Sequence, residues 1–598
     1  MKYQLIKPVN SSYSIVEQVL TNRGIPYEEI NHYLSTTDKD INSYESFGMD
    51  KLEAAATALI SCVKNNQDAL VVVDCDCDGY TSSAVLINYL HDLFPNWVET
   101  NLDFVMHEGK QHGLSDHIEN ITNVNYQLIL VPDAGSNDAE ECRILKEEYK
   151  MDVVVLDHHL CDIDNPYAIV INNQLSDYPN KELSGVGVVW QFCRYLDNLL
   201  GVDFANDYLD LVALGLDGDM MSLTSIETKH LIRKGLTQEK NPFITYMHER
   251  NHFSIGDELT PINVAFYIVP YVNAITRSGT IEEKELIFNS MLRYKAFQEV
   301  PSTKRGHKAG DTEKIVEQAV RVASNVKARQ TKAQDAGMEL LNDMIEKYNM
   351  LDHQVLVFLL KPGQVDKNIA GLVANKLMAK YQKPVCVLTK QKEQEVDAET
   401  GKVLRETSSY HGSARGCDKT GITDFKSICD NTGVTLYTAG HPGAFGVGVE
   451  AKDIEVFIER IDEQLKDAPN EPIYFVDYIY NFNNLNPQDV LDIAYMSHLW
   501  GMHMDESLIA IEGLKVSAEM VTIYSKKSLT IKIELPLGIN LMMFNASEYD
   551  CELLQTNNSG FIEINCVCKC NANEWNGMVT PQFFCEEYEV VDSNRYFF

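Results

Sequence analysis

The sequence predicts an α/β protein: a doubly wound parallel sheet first, then a long connecting helix, a smaller α/β domain and a carboxyl-terminal β domain. Three observations predict it. Short Val-, Ile- and Leu-rich runs at Ala69–Val73, Tyr126–Pro132 and Asp152–Leu156 are separated by helix-length segments, and each is followed at once by an aspartate. Residues 311–349 are polar with helical periodicity and only Gly337 as an internal breaker, long enough at about 1.5 Å per residue to join two domains as a rod. Beyond Pro472 apolar and polar residues alternate with the period of half-buried strands.

Taken in order, residues 1–50 read as a polar lead-in with a helix at Ser14–Asn22. The first domain, 51–310, opens with a helix over Lys51–Asn65, the strand Ala69–Val73 and a helix from Ser82 to Phe94. After the connecting helix, the second α/β domain, 350–470, carries a strand at His353–Leu360, a helix at Ile369–Tyr381 and a strand at Pro384–Thr389. Alternation at Leu514–Val521, Ser528–Glu534, Phe561–Val567 and Gln582–Val591 marks 471–598 as a small β barrel or sandwich. The joins are poor in Gly and Pro, which implies packed domains rather than beads on a flexible string.

Of the 598 residues 45% are hydrophobic and 23% charged, too apolar for a wholly disordered chain. The formal net charge of −36 excludes whole-molecule attraction to nucleic acid or an anionic membrane. A polyanion must instead be held locally, by metal ions or a basic groove. Fourteen scattered cysteines, no signal peptide at Met1–Ser11 and no apolar run near the ~18 residues of a membrane span point to a soluble cytoplasmic protein.

Asp74-Cys75-Asp76-Cys77-Asp78-Gly79 lies directly after a buried-type strand. Anions so close repel unless cations neutralise them, which makes a divalent-metal site one reading and a solvated acidic loop the other. Asp133, the triplet Asp157-His158-His159, and Asp217 and Asp219 after Leu211–Leu216 repeat the placement at hydrophobic strand ends. Four such segments on one sheet favour a shared metal site. Carboxylates with one or two imidazoles suit Mn²⁺ or Mg²⁺ better than zinc, and Cys75 and Cys77, alternating with the aspartates, are expected to face the other way as small apolar groups. Two such ions about 3.5–4 Å apart clamp the attacking and leaving oxygens of a phosphoester.

In order, these segments resemble the four motifs of the DHH phosphoesterase superfamily. Carried over by position, the resemblance implies Asp76, Asp78, Asp133, His158 and Asp219 as metal ligands with Asp133 bridging, Asp74 and Asp157 at or behind the metals, and His159 on the phosphate. Asp217 is an extra carboxylate where the family has an apolar residue, so either Asp217 or Asp219 is the fourth-motif ligand. Gly412-Ser413-Ala414-Arg415-Gly416 and Gly440-His441-Pro442-Gly443 resemble the substrate-binding motifs of the associated DHHA1 domain, whose glycines admit backbone N–H groups to a phosphate while Arg415 and His441 add charged donors.

Leu20–Ile25, Val272–Arg277 and Asn573–Gly577 with Pro581-Gln582 resemble segments of the RecJ family of single-strand-specific 5′ exonucleases, so the likeness runs from about residue 14 to 592. It implies an OB-like barrel at the carboxyl end and a phosphate contact at Arg277. An OB barrel tracks a single strand and stacks bases on aromatics; Trp575 is either such a platform or, the favoured reading, a buried plug of the barrel. The basic segment Lys304–Lys308 either lines the DNA path or is a solvated face. Cys566, Cys568 and Cys570, two apart, are expected to pack in the barrel rather than bind zinc.

The resulting expectation is a two-metal (Mn²⁺ or Mg²⁺) exonuclease that degrades single-stranded DNA from the 5′ end to mononucleotides in DNA repair, recombination or replication. The catalytic groups are His159, Asp157 and Arg277, and the metal set Asp74, Asp76, Asp78, Asp133, His158 and Asp219. Substrate contacts come from Ser413, Arg415, Gly440, His441 and Trp575. A monomer is expected, with a helicase or single-strand-binding protein as the class of partner and no membrane. The competing readings are a phosphodiesterase for short oligonucleotides or cyclic dinucleotides, and a non-catalytic replication scaffold. Scaffold relatives have lost ligands that this sequence keeps.

Overall fold

The computed structural model describes every residue except 110, 162–164, 397–402, 470, 526–527, 556–559 and 594–598. The chain divides into two compact units, one of residues 12–327 with 492–506, the other of residues 1–11, 328–491 and 507–598.

The first unit is built on five parallel strands: β1 (Ala69–Val73), β2 (Leu102–Met106), β3 (Leu128–Pro132), β4 (Asp152–Asp157) and β5 (Ile169–Asn172). Their spatial order is 2-1-3-4-5. β1, β3 and nearly all of β4 are buried on both faces, which is why they read as unbroken apolar runs rather than alternating ones. Leu70, Val72, Ile129, Val131, Val153 and Val155 pack on one side against Leu114, Ile121, Cys142 and Leu145. The helices α1 (Cys77–Leu93) and α2 (Gly185–Leu200) also lie against the sheet. The strand order reverses between β1 and β3, and in a doubly wound sheet the crevice for ligands opens at the carboxyl ends on either side of that reversal. Asp74 and Asp133 are the residues that leave those two strands.

Two expectations in this unit are corrected. The helix expected from Ser82 begins five residues earlier, at Cys77, with Asp76 as its N-cap: the Asp76 carboxylate accepts from Gly79 N–H at 3.0 Å. Leu211–Asp219 is not a strand end: Leu211–Gly218 is all but the first two residues of the helix α3 (Leu209–Gly218), and Asp219 caps it. Residues 209–216 are buried on every side, and a helix with no polar face gives the same continuous apolar run as a buried strand. A long helix, α4 (Ile315–Lys347), lies within the segment read as the connector and spans the division at residue 327.

The second unit holds a five-stranded mixed sheet and a seven-stranded one. The first contains β6 (Leu356–Leu360), β7 (Val385–Val396), β8 (Val403–Arg415), β9 (Thr435–His441) and β10 (Ala444–Glu450), in the order 9-10-8-7-6, with the helix α5 (Ala370–Tyr381) against β7 and β8. The barrel or sandwich expected at the carboxyl end is one seven-stranded mixed sheet. Its longest pair is the hairpin of β11 (Ile562–Trp575) and β12 (Met578–Ser593). Cys566, Cys568 and Cys570 are buried in β11, and none of them is in a disulfide among the described residues. Lys2–Leu5 pairs in parallel with Ile473–Val476, and the Met1 amino group meets Glu589 at 2.9 Å. No helix of the described residues is long and apolar enough to cross a membrane.

Candidate metal centre

Every acidic motif of the first unit reaches one place. Asp74 follows β1, Asp76 and Asp78 open α1, Asp133 follows β3, Asp157 ends β4 with His158 and His159 beyond it, and Asp219 ends α3. Their donor atoms form overlapping groups within 4.8 Å: Asp74, Asp76 and Asp133; Asp78, His158 and Asp219; Asp133, His158 and His159. His158 Nε2 lies 3.3 Å from Asp133 Oδ1, 3.4 Å from Asp219 Oδ2 and 4.0 Å from Asp78 Oδ2. Asp219 belongs to one of these groups and Asp217 to none of them.

Local backbone explains the convergence. Asp133 has φ +65°, a left-handed conformation that Asp tolerates better than most residues, and its N–H donates to Leu156 O at 2.8 Å. Two glycines admit its neighbours: a Cβ on Gly185 would lie 2.4 Å from Asp133 Oδ1, and one on Gly215 would lie 2.2 Å from Thr81 Oγ1 and 2.7 Å from Asp78 Oδ1. Gly215 thus lets α3 approach α1 closely enough to deliver Asp219.

Supporting hydrogen bonds fix the orientation of the acids. Asp78 Oδ1 accepts from Ser184 Oγ–H at 2.9 Å and Val186 N–H at 3.2 Å. Asp157 accepts from the N–H groups of Ser136, His158 and His159 and from His159 Nδ1–H at 2.8 Å. These bonds and the His159 charge outweigh burial and hold the Asp157 carboxyl below its ordinary range, while the same contact pushes His159 up to about 9. Burial depresses His158, leaving a neutral imidazole with a lone pair to offer.

The remaining acids are strained in charge. Burial first, then the surrounding carboxylates, raise Asp133 well above its ordinary value and push Asp219 up to about 8; burial raises Asp74 and Asp78 as well. Asp78 Oδ2 and Asp133 Oδ1 are buried without a hydrogen-bond partner among the described residues. An oxygen-rich set with one neutral imidazole, its inward oxygens unpaired, fits hard divalent cations such as Mn²⁺ or Mg²⁺.

The other expected site residues lie elsewhere. Arg277 sits on a helix, Val269–Ser278. Ser413 and Arg415 are on β8 and Gly440 and His441 at the end of β9; Arg415 and His441 both face Ala444 of the intervening β10. Trp575 is not a buried plug: it is 70% exposed at the β11–β12 hairpin tip, beside the Asn576-Gly577 turn. Cys75 and Cys77 are buried, as expected, but Cys75 Sγ lies 3.8 Å from His112 Nε2. Sequence reasoning missed His107, His112 and Ser184, whose only signal is a polar residue within a loop or at a helix start.

The DHH family, N-terminal domain, matches residues 68–216. YorK, an SPbeta prophage-derived protein of Bacillus subtilis (strain 168) provisionally named a single-strand DNA-specific exonuclease, is 32% identical over 597 residues, covering 100% of this chain and 99% of YorK. The single-stranded-DNA-specific exonuclease RecJ of the same organism is 24% identical over 594 residues, 97% of this chain and 68% of RecJ. The crystal structure of RecJ in complex with Mn²⁺ from Thermus thermophilus superposes with a TM-score of 0.68 at 17% identity, over 97% of this chain and 76% of that one, a likeness of fold. With a relative of this similarity along its whole length and the DHH motifs gathered at one point of the sheet, the chain belongs to the DHH family, among the RecJ-type proteins.

Proposed function

We propose that the chain is a RecJ-like exonuclease that hydrolyses single-stranded DNA from the 5′ end to mononucleotides, with two Mn²⁺ or Mg²⁺ ions as cofactors. The observation that carries this reading is the meeting of Asp74, Asp76, Asp78, Asp133, His158 and Asp219, from four separate segments, around unpaired buried carboxylate oxygens. The relatives' names supply the substrate, and RecJ of Thermus thermophilus is described in complex with Mn²⁺ and with Mg²⁺.

Asp74, Asp76, Asp78, Asp133, His158 and Asp219 would hold the ions. When bound, such a pair makes water acidic enough to attack at neutral pH and neutralises charge on the phosphate. The chain's own groups do the rest. Ser184 and Val186 fix one oxygen of Asp78 so that the other faces His158. Asp157 keeps the proton on His159 Nδ1, which orients the ring and leaves Nε2 for a phosphate oxygen. Arg277, Ser413, Arg415, Gly440 and His441 serve as further contacts for the phosphodiester backbone. Trp575, open to solvent at its hairpin tip, stacks on a base and favours a polymer over a dinucleotide. With a net charge of −36, DNA is held only through local cations, so binding weakens steeply with salt. Action as a monomer in the cytoplasm, in repair, recombination or replication beside a helicase or single-strand-binding protein, completes the proposal.

Digestion of single strands labelled at either end, beside pApA and cyclic dinucleotides, tests it. Mononucleotides released from the 5′ end of long strands are expected with Mn²⁺ present. Release from the 3′ end, or turnover confined to dinucleotides, overturns the reading.

A further inference from the structure

We propose that Asp74, Cys75, His107 and His112 form a third cation site, selective for a soft divalent ion such as Zn²⁺, beside the oxygen-rich centre. The donor set differs in kind from that centre: a thiol, an imidazole and a carboxylate come together, with a second imidazole 3.8 Å from the carboxylate, and such N/S/O donors suit zinc, whereas Mn²⁺ and Mg²⁺ favour oxygen. One ligand atom each of Asp74, Cys75 and His112 lies within 4.8 Å of the others. Cys75 Sγ is 3.8 Å from His112 Nε2 and 3.9 Å from Nδ1, and His112 Nδ1 donates to Asp74 Oδ2 at 2.7 Å. Ligands around tetrahedral zinc stand about 3.3–3.6 Å apart, as follows from its bond lengths. Each separation is therefore within a small side-chain adjustment of coordination, with the ion replacing the proton that His112 and Asp74 share.

A second, independent observation comes from the interior. The His107 side chain is fully buried, its Nε2 lies 3.8 Å from Asp74 Oδ1, and neither ring nitrogen has a hydrogen-bond partner among the described residues. A buried imidazole with both nitrogens unpaired is costly unless something at that position uses one of them.

The loop that carries both histidines is pinned around the site. Lys284 Nζ donates to the carbonyls of His107 and Glu108 at 2.8 and 2.7 Å. Gly113 N–H donates to Asp74 Oδ1 at 3.3 Å, and Leu114 N–H to Asp138 Oδ2 at 2.8 Å. Such anchoring orders ligands before an ion arrives. Asp74 also borders Asp76 and Asp133, so a soft ion here shares a carboxylate with the hard-metal centre.

The test uses the full-length, metal-stripped chain titrated with Co²⁺ as a spectroscopic stand-in for Zn²⁺, since a cobalt–thiolate bond gives a near-ultraviolet charge-transfer band that oxygen and imidazole ligands do not. One equivalent of band-forming cobalt per chain is expected, bleached by Zn²⁺ and not by Mg²⁺. Cys75→Ser should abolish the band, and His112→Gln, at a half-exposed side chain whose loss leaves the fold intact, should weaken cobalt binding at least about tenfold. Absence of the band from the wild-type chain, or a band unchanged in Cys75→Ser, overturns the proposal. The readout is independent of nuclease activity.

Discussion

Gly185→Ala perturbs the candidate centre by a single methyl group. The added Cβ would sit 2.4 Å from Asp133 Oδ1, 2.6 Å from its Cβ and 2.7 Å from its Cγ, where real contacts stay beyond 3.0 Å. Three atoms of one side chain are too close, so rotating the carboxylate relieves Oδ1 and leaves Cβ in collision. The backbone of Asp133 or of α2 must move by about 0.4–0.6 Å, and Asp133, already at φ +65°, has little freedom to give. Displacements of about 0.5 Å spoil a catalytic constellation, and about 1 Å costs on the order of 10²-fold in rate. We expect kcat to fall about 10- to 100-fold, equivalent to about 1.4–2.7 kcal/mol in the barrier. Overpacking costs about 1–3 kcal/mol of stability and the gain in helix propensity returns up to about 1, so the fold survives. The assay pairs Mn²⁺-dependent release of nucleotides from labelled single strands with Mn²⁺ titration by calorimetry and a thermal melt. A variant that melts normally and retains full rate and metal affinity would refute the claim that Gly185 sets the position of Asp133.

Three further outcomes follow. Asp133→Asn keeps the left-handed backbone accessible and removes the charge, so hydrolysis should drop by at least about 10²-fold while the melt is preserved; unchanged turnover excludes Asp133 from the centre. Because Asp219 is pushed up to about 8 and Asp133 is raised well above its ordinary value, the metal-free folded state binds more protons than the unfolded chain between about pH 4 and 8, so its melting temperature should fall as pH rises through that window. Added Mn²⁺ should restore it most at the alkaline end, and a metal-free melt that rises with pH there contradicts the assignment. Trp575→Ala should cost about 1–3 kcal/mol in binding to long single strands, read by fluorescence anisotropy, with little change in the melt because the ring is exposed; a large loss of stability would instead make it a structural plug.

How much of this was legible in the sequence depended on what carries each feature. β1, β3 and β4 were readable because strands buried on both faces leave short unbroken apolar runs, and the aspartates that follow them mark the edge where ligands gather. The same rule failed at Leu211–Asp219, since a helix immersed in the core shows no polar stripe to betray its period. The position of Asp219 nevertheless came through, because the chain must leave the apolar layer at that residue whichever element it leaves from. Trp575 was misplaced although its own neighbour carried the correction: Asn576-Gly577 is a two-residue hairpin turn, which puts the preceding residue at a tip rather than in a core. His107 and His112 gave no pattern at all, for what joins them to Asp74 is a folded loop and not a period.

The parallel pairing of Lys2–Leu5 with Ile473–Val476 has a bearing on how the polypeptide matures. Residues 12–327 emerge from the ribosome between two parts of the other unit, and their own unit is complete only once residues 492–506 have been made. The opening strand must wait for a partner made some 470 positions later. A translation pause or truncation shortly before Ile473 should therefore leave both the opening strand and the unit that awaits residues 492–506 open to digestion, whereas one placed after Glu506 should leave residues 12–327 with 492–506 protease-resistant.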